Sequence, residues 1–173
     1  MLLVLRSLLL CLPLMLLLSA AQAGDDRAER SMTLAAKMTA WVAAQTDYTA
    51  PDPPPVEFLD QIALRQRCYP GFDLNHVPQV GGLYDPKNKT IYLDVDCDLN
   101  DLTSASYLLH EVVHHVQLAN NAHLRVRCRE QLEGEAVTLQ ALWLKDKGIS
   151  DPLDALGIDE RTLRIIGSCP RSG

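Results

Sequence analysis

The sequence has no basic stripe, no interleaving of aromatic with basic side chains, no C-x-x-C pair, no internal repeat and no low-complexity tract. The first two absences exclude the usual footprint of a nucleic-acid partner. Charge points the same way: 16 Lys and Arg stand against 22 Asp and Glu, a formal net charge of −6 that serves mainly solubility. Without C-x-x-C spacing, a cysteine-held zinc cluster is not expected. The longest apolar run, Leu8 to Leu18, is short for a membrane span.

That run is better read as part of an export signal. Arg6 precedes it, and Ala21-Gln22-Ala23 follows it before Gly24, so residues 1–23 are expected to be a signal peptide cleaved after Ala23. Residues 24–173 then form one secreted or periplasmic domain with no stable membrane span. Removal of Cys11 leaves Cys68, Cys97, Cys128 and Cys169. An even number in an exported chain predicts two disulfides. Of three possible connectivities, Cys68–Cys97 with Cys128–Cys169 is preferred, because it staples the sheet side and the helical side separately.

Periodicity predicts an α+β domain. Leu34, Met38, Trp41 and Val42 recur at helical spacing between Arg27 and Thr46, and the proline-rich Ala50–Pro55 ends that helix. VEFL reads as a short strand and DQIALRQRC as a short helix. GGLYDPKNKTIYLDVDCD holds two extended runs around a turn, the pattern of a hairpin in a small antiparallel sheet. Ile91, Leu93, Val95 and Cys97 alternate with Tyr92, Asp94, Asp96 and Asp98, which predicts one apolar and one solvated acidic face. The acidic positions lack the glycine and glutamate of a calcium loop. A helix capped by Asn100, Asp101 or Thr103 follows, then another from about Arg129 to Lys147, then one or two short helices.

The first of these later helices contains HEVVHH. Residues i and i+4 lie about 40° apart on a helix, so His110 and His114 can aim their rings at one ion, and neutral imidazole is a good zinc donor. Glu111 lies about 100° further round. From there it can reach a water on the ion and act as a general base. His115 lies off the ligand face, where a hydrogen-bonded or surface role is expected. Catalytic zinc needs a third protein ligand. In an elongated H-E-x-x-H-x-x-G-x-x-H motif that ligand would be a histidine at position 120, but Gln117 and Asn120 occupy the glycine and histidine positions. The next helix offers Glu130, Glu133 and Glu135. Glu133 and Glu135 point about 200° apart. Glu133 is preferred because small Ala136 on its face lets the helices pack closely, whereas Glu135 shares its face with Leu139 and Leu142.

HEVVHH followed some twenty residues later by Glu133-Gly134-Glu135-Ala136 resembles the gluzincin metallopeptidases, particularly their small single-domain members. The likeness spans roughly residues 80 to 145. It implies a zincin-like fold in which the hairpin lines the substrate cleft and the E-x-x-A glutamate, Glu133, completes the zinc site. It also implies peptide-bond hydrolysis of a peptide or protein substrate, with Glu111 moving the proton from water to the leaving amine. Tyr84, Tyr92, Tyr107 and His123 are the candidates for stabilising the oxyanion. Many gluzincins place an aspartate four residues after the ligand glutamate to orient a histidine. Val137 stands there, so that support must be built differently. The alternative expectation is a zinc-binding structural or interaction domain without turnover.

Overall fold

The structure, a computed structural model, describes residues 11–170, with side chains described from Asp26 onward. Of the expected signal peptide, residues 1–10 lie outside the described residues, and residues 11–23 run as helical backbone into the first helix. The elements in order are α1 (Cys11–Gln45), β1 (Val56–Leu59), α2 (Gln61–Cys68), β2 (Gly82–Asp85), β3 (Thr90–Asp94), α3 (Leu102–Ala119), α4 (Glu130–Asp146), α5 (Pro152–Ala155) and α6 (Glu160–Ile166). Single 3₁₀ turns lie at Leu74–His76 and Ala122–Leu124. Among the described residues, no helix is long and apolar enough to cross a membrane.

The fold is α+β, but the sheet corrects the antiparallel expectation. Its order is β1-β3-β2: β2 pairs antiparallel with β3, with Tyr84 opposite Ile91, while β1 pairs parallel with β3, with Val56 opposite Ile91. The hairpin is a local pairing that turn residues announce. The β1–β3 pairing joins distant segments and leaves no local signal. The central strand is also covered on both faces. Arg67 of α2 stacks over the buried Tyr92 ring at 4.3 Å. The strand ends at Asp94, whose carboxylate accepts from Gln61 of α2. The expected acidic face therefore does not extend along the strand. Asp94 and Asp98 instead brace the following turn, accepting from the N–H groups of Asp96 and Asn100.

α3 is the hub. Asp101 is the N-cap, its carboxylate accepting from Ser104 N at 2.7 Å. Leu108, Leu109, Val112, Val113 and Val116 are fully buried against Ala35, Met38 and Val42 of α1, Ile91 and Leu93 of β3, and Ala136, Trp143 and Leu144 of α4. Helices and the sheet enclose it so closely that several of its polar residues are also buried, including Ser106, Glu111, His115 and Gln117. Such groups need partners, and those partners make the site. Trp143 belongs to the core, while Trp41 packs at its margin and donates to Asp146 at 3.1 Å.

The C-terminal segment is clamped to α4 twice. A Cβ on Gly134 would lie 2.6 Å from the Gly167 Cα, so the backbones meet where no side chain fits. Cys128 is bonded to Cys169 across a separation of 41 residues. In the chain-entropy account, a loop of that length gives about 4 kcal/mol of stabilisation. Cys68 and Cys97 remain free thiols, a correction to the pairing expected for them. Cys68 closes α2, whereas the Cys97 thiol donates to Ser104 O at 3.5 Å beside α3, and Arg27 of α1 donates to the Cys97 carbonyl. Each sulfur is held in its own packing environment, and burial pushes both thiols above their ordinary pKa.

Candidate metal centre

α3 and α4 pack antiparallel, bringing His110, His114 and Glu133 together. Their ligand atoms all lie within 4.8 Å of one another, and the group could hold a metal ion. His110 Nε2 is 3.1 Å from His114 Nε2. Glu133 Oε2 is 3.1 Å from His114 Nε2 and 3.6 Å from His110 Nε2. Ligands at zinc-bonding distance on a tetrahedron would be ~3.3 Å apart, so this triangle is already of the right size. Glu133 sits in the first turn of α4, where the helix dipole favours a carboxylate. Arg129 Nη2 holds its other oxygen at 3.4 Å.

The histidine tautomers are decided by groups behind them. Ser106 Oγ donates to Thr103 O at 2.6 Å, so it accepts from Gln140 Nε2 at 2.9 Å. Gln140 Oε1 must then accept from His110 Nδ1–H, at 3.2 Å. Gln117 Nε2 donates to the Leu132 carbonyl at 2.9 Å and to Glu135 Oε2 at 2.8 Å, which turns its Oε1 toward His114 Nδ1–H at 2.9 Å. Both Nδ1 atoms carry protons, and both Nε2 lone pairs converge. Two lone pairs at that distance repel unless a cation lies between them.

In the metal-free chain a proton can play that part. Burial works against a charged His114, yet the hydrogen bond it donates to Glu133 and the Glu111 and Glu133 charges outweigh it, holding its pKa above the ordinary value. When protonated, His110 and then His114 donate to Glu133 and hold it far below the usual carboxylate range.

Gln117 and Gln140 thus orient the two imidazoles from behind. Gln117 entered the sequence reading solely as a departure from the elongated motif, and Gln140 not at all. A signal was available for Gln140: it follows Glu133 by seven residues, two helical turns on the same face. Glu135 points away from the ligands. It accepts from Gln117 and from the Tyr48 hydroxyl at 2.8 Å, and burial followed by that bond pushes Tyr48 up to about 12. Gln117→Leu and Gln140→Leu are each expected to weaken metal binding about 10- to 100-fold, measured by chelator competition. Unchanged affinity would mean that the imidazoles are held without the amides.

Glu111 is 8 % exposed, and its Oε2 accepts from Tyr84 N–H on β2 at 2.7 Å. A Cβ on Gly82 would approach the Glu111 Cγ to 3.0 Å, so the bare glycine backbone lets α3 press its glutamate against the edge strand. His115 is buried, so of the two roles expected for it the hydrogen-bonded one holds and the surface one does not. It contacts the Tyr84 hydroxyl at 3.0 Å and the Asp52 carbonyl at 2.9 Å, and burial lowers its pKa. Tyr84's hydroxyl is therefore committed. Tyr92 is buried under Arg67, and Tyr107 packs on Gly81. Of the four oxyanion candidates, His123 remains, exposed and lining the cavity that opens over the ligands. That cavity, about 1020 Å³, also reaches His110, Glu111, His114 and Glu133.

A family model described as Domain of unknown function (DUF6647) matches residues 27–162, and the chain belongs to that family. No curated protein and no solved structure matches the chain.

Proposed function

We propose that this member of the family is an exported zinc-dependent peptidase with a zincin-like site, in which His110, His114 and Glu133 hold the ion and Glu111 is the general base. The observation that carries the reading is the convergence of the three ligand atoms beside Glu111 in one open cavity. Two imidazole nitrogens and a carboxylate oxygen, with space left for a further ligand, suit catalytic zinc. Bound zinc would polarise a peptide carbonyl and acidify a water.

The chain's own residues supply the rest. Tyr84 N–H fixes one oxygen of Glu111, which orients the carboxylate to accept a proton and return it to a leaving amine. A purely structural site would have no use for such a base next to its ligands. β2 is the edge strand beside α3 and offers an extended peptide a place to lie. His123, which lines the same cavity, is the candidate donor for a developing oxyanion. The signal-like residues 1–23 and the Cys128–Cys169 bond support a secreted or periplasmic location.

The test is hydrolysis of a fluorogenic peptide library by the purified protein. Cleavage should stop on chelation and return with about one equivalent of zinc. Cleavage indifferent to chelation would overturn the reading. Zinc binding without cleavage of any peptide would favour the interaction-domain alternative.

A further inference from the structure

The chain is acidic overall, yet the cavity over the ligands is not. Three arginines line it, Arg67, Arg127 and Arg129, and among the described residues its acidic lining groups are Glu111 and Glu133. Both carboxylates are already engaged, Glu111 by Tyr84 N–H and Glu133 by the imidazoles and Arg129. A divalent ion would leave the cavity more positive still. Arg129 is partly neutralised by Glu133, but the other two guanidinia have no such partner in the cavity wall.

Arg67, from the last turn of α2, lies over the Tyr92 ring with its guanidinium carbon 4.3 Å from the ring centre. A stacked guanidinium keeps its edge available for the two parallel bonds that a carboxylate accepts. Arg127 is exposed and comes from a separate wall, the segment leading into α4, where its N–H donates to Gln131 Oε1 at 2.7 Å.

We infer that the cavity selects substrates carrying a carboxylate close to the bond that is cut. The inference rests on the peptidase reading and names its substrate class. The carboxylate can come from an Asp or Glu side chain or from a free peptide C-terminus; both present the same planar anion. A lysine in that place would be repelled, which sharpens the selection.

The experiment uses matched peptides with Glu, Gln or Lys beside the cleavage position, each with a free or an amidated C-terminus. Binding to the metal-free full chain by fluorescence anisotropy reads selectivity without turnover, and kcat/KM of the zinc-loaded chain reads it with turnover. Glu peptides should bind about tenfold tighter than Gln peptides, with Lys peptides weakest and the differences shrinking as salt rises. Arg67→Gln and Arg127→Gln should each narrow the Glu–Gln difference several-fold, whereas Arg161→Gln, on exposed α6, should not. A preference that follows amidation rather than the side chain assigns the carboxylate to the C-terminus. Equal binding of Glu, Gln and Lys peptides with either terminus overturns the inference, even if peptides are hydrolysed. Selective binding without hydrolysis overturns the peptidase reading and leaves the selectivity standing.

Discussion

Replacing Glu111 with glutamine is expected to lower kcat by roughly 10²–10⁴-fold, the range for loss of a positioned acid–base group, while zinc stays bound. The amide has the same shape as the carboxylate, and its oxygen can still accept from Tyr84 N–H. Packing of α3 against β2 should therefore survive, and the melting temperature should move little. What disappears is the ability to take a proton at neutral pH. Parallel measurements of zinc content and peptide hydrolysis decide the matter. Loss of zinc would make Glu111 a ligand, and undiminished hydrolysis would place the base elsewhere.

The second large effect concerns Glu133. Glu133→Ala should weaken zinc binding by more than about 100-fold, beyond the 10- to 100-fold typical of groups that merely support a ligand. Glu135→Ala, which acts on His114 through Gln117, should stay within that smaller range. The reverse order would transfer the third ligand to Glu135.

The pH dependence carries the same assignment. Coordination requires His114 to give up the proton that Glu133 and Glu111 help it hold, so zinc affinity should fall as pH is lowered. In the metal-free protein, the depressed pKa of Glu133 stabilises the fold above the ordinary carboxylate value of about 4.3, and the effect fades as pH drops below it. The raised pKa of His114 stabilises the fold below about 6.5, and the effect is lost as pH rises through the folded-state value. Metal-free wild type should thus gain most from this pair between those two values. Thermal melts of Glu133→Ala across the same range should lose that maximum.

These predictions depend on features of unequal visibility. The HEVVHH spacing, the hairpin turn, the capped start of α3 and the choice of Glu133 over Glu135 could all be read along the chain. Each follows from helical or strand periodicity acting over one or two turns. Spacing alone puts Gln140 on the face of Glu133, but the partners of the amide pair were not visible, because a glutamine commits to none until two helices meet. Gln140 lies 30 residues from His110, and antiparallel packing of α3 on α4 alone makes them neighbours. The free thiols belong to the same class: an even cysteine count in an exported chain predicted a second disulfide, but Cys68 and Cys97 are drawn into different packing environments.

By itself, then, the amino-acid order determined the local geometry: two imidazoles and a carboxylate on one helical turn, a hairpin before them, and a carboxylate-bearing helix after them. Tertiary structure decided which nitrogen of each imidazole faces inward, how β1 joins the sheet in parallel and which arginines surround the opening. The physical reason is range. Dihedral preferences and side-chain periodicity act between near neighbours, whereas burial of polar groups inside α3 forces partners to be found wherever the packed helices happen to bring them.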